Sequence, residues 1–166
     1  MPDYRRLLVP GGTVTCTVNL ADRRKTTLTD HISLFRAAYA QVRGDRPFET
    51  LALCVLPDHL HAIWRLPEGD ADYSTRWRLI KHRFTRSLPG APQGRRQGER
   101  GVWQRRFWEH HPKDDAALSA QIDYIHWNPV KHGHVTEMDD WPYSSWHRWK
   151  AEAARPWRQP PEDMHL

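Results

Sequence analysis

Two histidines separated by one residue stand where a metal ion could bind. His59 and His61 lie in the segment Pro57-Asp58-His59-Leu60-His61-Ala62-Ile63-Trp64, which follows the apolar run 51–56 and precedes a Pro-Glu-Gly stop signal. We predict two strands joined at a tight Pro-Asp turn. Side chains alternate along a strand, so the two imidazoles share one face, about 7 Å apart, and can bind one metal ion. An isolated pair of this kind is more often an ordinary polar strand face, and its meaning depends on a third partner.

A phenol and an amide occur together late in the chain. Residues 114–127 are predicted to form a helix, with an aspartate as its N-cap and Pro129 as its stop signal. Tyr124 and Asn128 are spaced i and i+4, so they share one helix face if the last turn holds. A phenol can be a nucleophile, and an amide oxygen can be a metal ligand. The alternative is structural: a tyrosine that packs on the domain and an asparagine that caps the helix.

Taken together, these two stretches resemble the single-tyrosine HUH transposases, and more closely the REP-associated tyrosine transposases. Further segments fit that family in the same order: Pro10-Gly11-Gly12-Thr13, Leu56-Pro57-Asp58-His59-Leu60-His61, Trp103-Gln104-Arg105-Arg106-Phe107-Trp108-Glu109-His110 and Trp141-Pro142-Tyr143-Ser144-Ser145. The resemblance covers roughly residues 8 to 150. The ordered set of motifs is far more specific than any one of them.

The resemblance implies a reaction and a role for each of these residues. Tyr124 would cut single-stranded DNA at hairpin-forming REP-like repeats by transesterification, leaving a 5′-phosphotyrosine and a free 3′-hydroxyl. Family members hold a divalent metal with the two histidines and a polar residue four after the tyrosine, which implies His59, His61 and Asn128 here. We expect Mg²⁺ or Mn²⁺, because Mg²⁺ is abundant and Mn²⁺ accepts imidazole ligands readily.

The composition indicates one domain that acts on a polyanion. A chain of 166 residues suits a single domain, predicted over residues 1–150, with 151–166 as a loose tail. Its formal charge of +5, which excludes the 11 histidines, favours nucleic acid as partner. Cys16 and Cys54 lack a Cys-x-x-Cys motif and are predicted to be reduced core residues. Because no apolar stretch approaches the length of a membrane span, we predict a cytoplasmic protein, and a monomer and a homodimer stay equally open.

Basic and aromatic residues outside the catalytic motifs are candidate DNA contacts. The predicted phosphate contacts are Arg5, Arg6, Lys81, Arg83, Arg86, Arg105 and Arg106. For any one of them a solvated basic surface is as good an explanation as contact with DNA. Trp103, Trp108 and Trp127 can stack on single-stranded bases or fill the core, and core packing is favoured for each.

The order of predicted elements gives the fold class. Strands at 13–19, 49–56, 59–66 and within 102–111 alternate with helices at 30–42 and 72–88 in the order β-α-β-β-α-β. This is the ferredoxin-like α+β arrangement, an antiparallel sheet with two helices on one face. The first and third strands would be the central pair, so the histidines would lie mid-sheet on the open face. The resemblance implies that the C-terminal helix covers that face and brings Tyr124 to the histidines.

Three further histidines soon after Tyr124 in the sequence receive no role. His126 is two residues from Tyr124, so the helix turns it to a different face. His132 and His134 form a second His-x-His, but they lie in a glycine-containing loop without a strand pattern and are predicted to be surface residues.

Three other functions are compatible with parts of the sequence. A DNA-hairpin-binding protein of the same fold would keep the basic surface without the reaction. A histidine-triad phosphohydrolase would need a third alternate histidine, but position 63 is Ile. A metal-binding scaffold would leave the basic charge and Tyr124 unexplained. A covalent DNA adduct would separate the transposase from all three.

Overall fold

The computed structural model describes residues 5–90, 101–153 and 155–166. Its strands are β1 (Thr13–Asn19), β2 (Glu49–Val55), β3 (His59–Arg65) and β4 (Trp108–His110). Its α-helices are α1 (Thr27–Asp30), α2 (Ile32–Asp45), α3 (Tyr73–Ser87), α4 (Asp115–Lys131) and α5 (Trp146–Glu152), and a 3₁₀ helix spans Met138–Asp140.

The four strands form one antiparallel sheet in the order β2-β3-β1-β4. The α+β fold predicted from the order of elements is therefore confirmed, and β1 and β3 are the central pair. The β1–β3 register places Thr17 opposite His61 and Asn19 opposite His59. This register brings polar residues of β1 next to both histidines.

One face of the sheet packs against α2 and α3. Leu60, Ala62 and Trp64 point to this side and join a core with residues of β1 and both helices. The Trp64 ring stacks on Trp77 of α3, with ring centroids 4.3 Å apart. Burying large apolar side chains of this kind stabilises the fold by about 1.5–3 kcal/mol each. The same alternation turns His59 and His61 to the opposite face.

The opposite face is covered by α4 over strands β2 and β3. Ile63 of β3 and Cys54 of β2 share a second core with Tyr124 and Ile125 of α4. The helix that carries Tyr124 therefore packs on the same face of the sheet as His61. Cys16 lies in the first core, and both cysteines are buried and free, as predicted. Burial raises the pKa of each thiol.

The prediction that Pro129 ends the tyrosine helix is wrong. α4 continues through Pro129 to Lys131, and the His132 amide donates to the Asn128 carbonyl at 3.0 Å to close the last turn. Asn128 and Pro129 are both buried, so tertiary packing outweighs the lost backbone donor and the unfavourable residue before a proline.

Two other boundaries differ from the prediction. The helix predicted at 30–42 is a single turn, α1, followed by α2, which begins at Ile32 and runs on to Asp45. The strand predicted within 102–111 is shorter than its segment, because only Trp108–His110 pairs with β1 as a ladder. Trp103, earlier in that segment, makes an isolated bridge to Leu20.

The C-terminal residues differ from the loose tail that was expected. Arg155 forms an ion pair with Asp123 of α4 at 2.9 Å, and the Trp157 indole donates to the Asp123 carbonyl at 3.1 Å. The Lys131 ammonium donates to the Met164 carbonyl at 2.8 Å. Residues 155–166 therefore make specific contacts along the tyrosine helix.

None of the helices in the described ranges is both long enough and apolar enough to cross a membrane.

Candidate active site

The two histidines lie at the start of β3, next to the centre of the sheet. β3 begins at His59, and the one-residue spacing puts His61 on the same face. Their ring centroids are 5.0 Å apart and the rings are nearly perpendicular. Both side chains are buried, so the pair is not the solvated polar face that the sequence left as an alternative.

Each imidazole has a polar partner at its Nδ1 atom. His59 Nδ1 lies 2.7 Å from a carboxylate oxygen of Asp58, and His61 Nδ1 lies 2.8 Å from the hydroxyl oxygen of Thr17. An imidazole that donates its Nδ1–H to such an acceptor keeps a lone pair on Nε2. In that tautomer, Nε2 is the atom of each ring that can bind a further ligand.

The protonation state of the two imidazoles allows them to bind a cation. Burial lowers the pKa of His59, against the hydrogen bond and charge of Asp58, which raise it. Burial also lowers the pKa of His61 well below its usual range, and the neighbouring His59 and His132 lower it further. Both imidazoles are therefore neutral near pH 7 and can donate a lone pair.

The phenol of Tyr124 lies beside His61. The helix that holds it starts at its N-cap, Asp114, whose carboxylate accepts the Ala117 amide at 2.7 Å. One turn before Tyr124, Gln121 is hydrogen-bonded to Thr15 of β1, which fixes α4 to the sheet. The centroids of the Tyr124 and His61 rings are 6.0 Å apart. Tyr124 is only 4% exposed, so it is buried in this arrangement.

Asn128 lies one turn further along α4 and faces the same histidine. It is fully buried, and neither its amide nitrogen nor its amide oxygen has a hydrogen-bond partner among the described residues. Its amide nevertheless raises the pKa of His61, against burial and the neighbouring histidines, which lower it, so Asn128 lies close to the His61 ring. A buried unpaired amide is costly, and a metal ion would give its oxygen a partner.

These three side chains fit a divalent ion with two imidazoles and one amide oxygen. In the part of the chain that the structure describes, His, Cys, Asp and Glu residues form no group of three placed to hold a metal. Any ion would therefore depend on Asn128 and on water for the remaining positions. The imidazole nitrogens of such a site suit Mn²⁺, which accepts imidazole readily, and its oxygen donors suit both Mn²⁺ and Mg²⁺.

A lysine lies against the phenol. The Nζ atom of Lys131 is 3.4 Å from the Tyr124 oxygen and 4.7 Å from the centre of its ring. Lys131 is the last residue of α4, and it reaches Tyr124 because the helix does not stop at Pro129. The ammonium of Lys131 is therefore a candidate hydrogen-bond donor to the phenol oxygen.

A further histidine and an arginine border the site. The His132 ring lies 5.4 Å from the His59 ring, and Arg23 donates to Asp58 at 2.5 Å and lies 3.3 Å from His59 Nδ1. They line an open pocket of about 440 Å³ that also includes His134. His132 and His134 are exposed, as predicted, and His132 lies beside His59, one of the candidate metal ligands.

His126 faces away from the site, as the helical spacing predicted. Its Nε2 atom lies 2.8 Å from the hydroxyl oxygen of Ser145, and its ring packs against Trp146 and Trp149 of α5. It is completely buried and belongs to the contact between α4 and the following segment.

The predicted DNA contacts differ in their partners within the described residues. Arg6 pairs with Glu109, Lys81 donates to the Gln104 carbonyl at 2.8 Å, and Arg83 pairs with Asp45 at 2.7 Å. The charge of Arg6 adds to burial in lowering the pKa of Lys81, so these two lie near each other and near the segment that leads into β4. The remaining four are exposed: Arg5, Arg86, Arg105 and Arg106.

The three tryptophans predicted to be core or stacking residues differ in their burial. Trp103 is buried and packs against Phe84, and Trp127 is half-buried in the core under α4. Trp108 is exposed.

The sequence interpretation missed Thr17, Asp58 and Lys131 as site residues. For Thr17 a signal was present, because Thr13, Thr15 and Thr17 alternate along β1 and so had to share its polar face. Asp58 stands directly before His59 and had been assigned only to the turn. Lys131 could not be found, since a helix ending before Pro129 would not have carried it to Tyr124.

No family model matches the chain. A REP-associated tyrosine transposase of Escherichia coli (strain K12) is 47% identical over 148 residues, 89% of this chain and 84% of that protein. A Haemophilus influenzae protein named for the same family is 48% identical over 153 residues, 89% of this chain and 87% of that protein. A solved structure of a REP-associated tyrosine transposase bound to a REP hairpin is 43% identical, with a TM-score of 0.85 over 100% of this chain and 95% of that one. This chain therefore belongs to the REP-associated tyrosine transposases.

Proposed function

We propose that this chain is a metal-dependent single-strand DNA endonuclease and strand transferase that acts at REP-like hairpins. One observation carries the proposal: the Tyr124 ring lies 6.0 Å from the His61 ring, and the His61 ring lies 5.0 Å from the His59 ring on the same face of the sheet. A relative that aligns with the whole of this chain was solved with a REP hairpin bound, which supports the same kind of DNA as substrate. The cytoplasmic location and the choice between monomer and homodimer stay predictions.

In the proposed reaction, Tyr124 is the nucleophile. Its phenol oxygen forms a bond to the phosphorus of one phosphodiester, and the bond from that phosphorus to the 3′ oxygen breaks. The products are a 5′-phosphotyrosine and a free 3′-hydroxyl, which takes up a proton. The new ester keeps the phosphodiester energy, so a 3′-hydroxyl can reverse the step and rejoin strands.

The other residues of the site prepare this step. Lys131 stabilises negative charge on the phenol oxygen, both as it attacks and as it leaves during rejoining. Asp58 and Thr17 hold the two imidazoles with Nε2 toward the site. A divalent ion, Mg²⁺ or Mn²⁺, would be held by His59, His61 and Asn128, and would supply positive charge against a phosphate oxygen.

The burial of Tyr124 favours a second candidate, a hairpin-binding protein of the same fold that does not cut. At 4% exposure the phenol cannot meet a phosphodiester until neighbouring side chains move. Met164 and Leu166 of the C-terminal segment belong to the cluster that covers it. The two candidates differ in one outcome, strand cleavage.

The choice of DNA form tests the proposal. A hairpin with unpaired flanks and the fully paired duplex of the same sequence are compared for cutting with Mn²⁺, with Mg²⁺ and with EDTA. We expect cutting of the hairpin alone, and only with a divalent ion, because a single strand can bend onto the sheet face and a full duplex cannot. Binding without cutting under every condition would support the non-catalytic candidate. Equal cutting of both forms would indicate an ordinary duplex nuclease.

A further inference from the structure

One aromatic side chain on the histidine face of the sheet is open to solvent. In the described part of the chain the exposed large hydrophobic residues are Leu7, Leu8, Val9 and Trp108, so Trp108 is the aromatic one among them. Its side chain is 44% exposed. A single exposed hydrophobic residue needs no explanation by itself, so its neighbours must decide whether it has a role.

The sheet register places Trp108 in the same row as His61. Trp108 of β4 is directly opposite Thr17 of β1, and Thr17 is directly opposite His61 of β3. Residues directly opposite each other in antiparallel strands point to the same face. Neighbouring strands lie about 4.8 Å apart, so the Cα atoms of Trp108 and His61 are about 10 Å apart across the sheet.

The position of Glu109, between Trp108 and His110, shows to which face of the sheet these two side chains point. Glu109 is buried and is opposite Cys16, which belongs to the core on the α2 and α3 side. Glu109 also pairs with Arg6 on that side. Trp108 and His110 therefore point to the other face, the one with His59 and His61.

The rings of Trp108 and His110 are parallel and stacked with an offset. Their planes differ by 8° and their centroids are 5.7 Å apart, which is a parallel, offset arrangement. We name these two side chains the stacking platform. Both residues are exposed, so the aromatic surface is available to a ligand.

Positive charge flanks the stacking platform along the chain. Arg105 and Arg106 stand three and two residues before Trp108, respectively, and both are exposed. Neither forms an ion pair with a carboxylate in the ranges that the structure describes. An exposed aromatic face, with two exposed guanidinium groups close to it in the sequence, matches the two parts of a nucleotide, a base face and a phosphate.

We propose that the stacking platform binds an unpaired base of the DNA strand whose phosphodiester lies at His59 and His61. That this base belongs to the DNA strand that is cut rests on the proposed function. A base inside a duplex has both faces covered by its neighbours, so an unpaired base is the form that can lie on Trp108. The stacked base would belong to a nucleotide near the cleaved bond and would help to fix the position of that bond beside Tyr124.

An abasic scan combined with a Trp108 variant tests the proposal. The probe is a DNA hairpin with single-stranded flanks, in which each flank base is removed in turn, and equilibrium binding is measured with Tyr124→Phe protein so that the DNA stays intact. We expect one abasic position to weaken binding by roughly 5- to 150-fold, the usual worth of a base stacked on an aromatic ring. In the double variant Tyr124→Phe/Trp108→Ala, removing the same base should change the binding affinity very little, because the ring on which that base stacks is already gone.

Three controls separate this role from a general effect on the protein. Trp108→Phe should keep most of the sensitivity at that position, since phenylalanine still offers an aromatic face. Trp146→Ala, a half-buried tryptophan on α5, should leave the abasic profile of the parent unchanged, and thermal unfolding identifies any variant that fails to fold. Penalties that stay the same in Trp108→Ala as in the parent would overturn the proposal. Because binding is the readout, failure of the parent chain to cut DNA would count against the proposed function and leave this test valid.

Discussion

The hydroxyl oxygen of Thr17 lies 2.8 Å from Nδ1 of His61, and the two residues are directly opposite each other in the ladder between β1 and β3. The contact is therefore set by strand register rather than by a flexible loop. It holds the His61 ring by its Nδ1 atom, so the other ring nitrogen, Nε2, is the one that can serve the site. Partners of this kind usually matter because they orient a ligand that another atom uses.

Replacing Thr17 by valine should slow cleavage without unfolding the protein. Valine keeps the branched shape that suits the strand and removes only the acceptor, so the His61 ring loses its orientation. We expect a loss of about 10- to 100-fold in cleavage rate, partly restored by raising the Mn²⁺ concentration. The measurement is single-turnover cleavage of a hairpin across a Mn²⁺ titration.

Thr13→Val is the matched control for this variant, because Thr13 lies on the same face of β1, opposite Arg65. It should cut at the parent rate. An unchanged rate in Thr17→Val, at low and at high Mn²⁺, would show that the Thr17 contact does not position His61 for the reaction.

The metal site should fail in steps as its ligands are removed. His59→Ala or His61→Ala alone should lose activity that excess Mn²⁺ partly restores, since one imidazole and Asn128 remain. The double variant should not recover at any Mn²⁺ concentration. Cleavage by the parent chain that persists in EDTA would contradict a role for the metal.

His126 should make the protein less stable in mild acid. Burial lowers the pKa of His126 to about 3, with smaller contributions from the charges of Arg148 and Arg155. The unfolded chain binds a proton on this residue below about pH 6.5, while the folded chain resists it until about pH 3. The contribution of neutral His126 to the free energy of unfolding is therefore fully present above about pH 6.5. It is lost as the pH falls from there toward 3, by about 1.4 kcal/mol for each pH unit.

His126→Gln should flatten this part of the stability curve, because glutamine can keep a hydrogen bond to Ser145 and does not titrate. Urea unfolding between pH 7 and 4 measures the difference, and His147→Gln on the exposed surface is the control. The same slope in parent and His126→Gln proteins would mean that other groups cause the acid sensitivity.

Much of the site could be predicted because it depends on local periodicity. The two-residue period of β3 put His59 and His61 on one face, and the i, i+4 spacing put Tyr124 and Asn128 together on α4. The ordered motifs supplied the step that periodicity cannot, the contact between these two elements. The order of strands followed from the alternation of helices and strands.

The remaining features depended on tertiary contacts. A proline disfavours a helix locally, but burial of Asn128 and Pro129 holds the last turn of α4, and that turn brings Lys131 to Tyr124. Which tryptophan would stay exposed could not be read from composition, since Trp103 and Trp108 stand in one segment and only the β4 register separates them.

The central claim is that Tyr124 forms a covalent bond to DNA, and an adduct assay tests it most directly. A hairpin with unpaired flanks, labelled in turn at its 5′ and 3′ ends, is incubated with the protein and Mn²⁺ and then separated under denaturing conditions. The account predicts that the 3′-labelled fragment alone stays attached to the protein, that peptide mapping finds it on Tyr124, and that Tyr124→Phe binds the hairpin but gives no adduct. Cleavage by Tyr124→Phe at the parent rate, or an adduct on another residue, would contradict it.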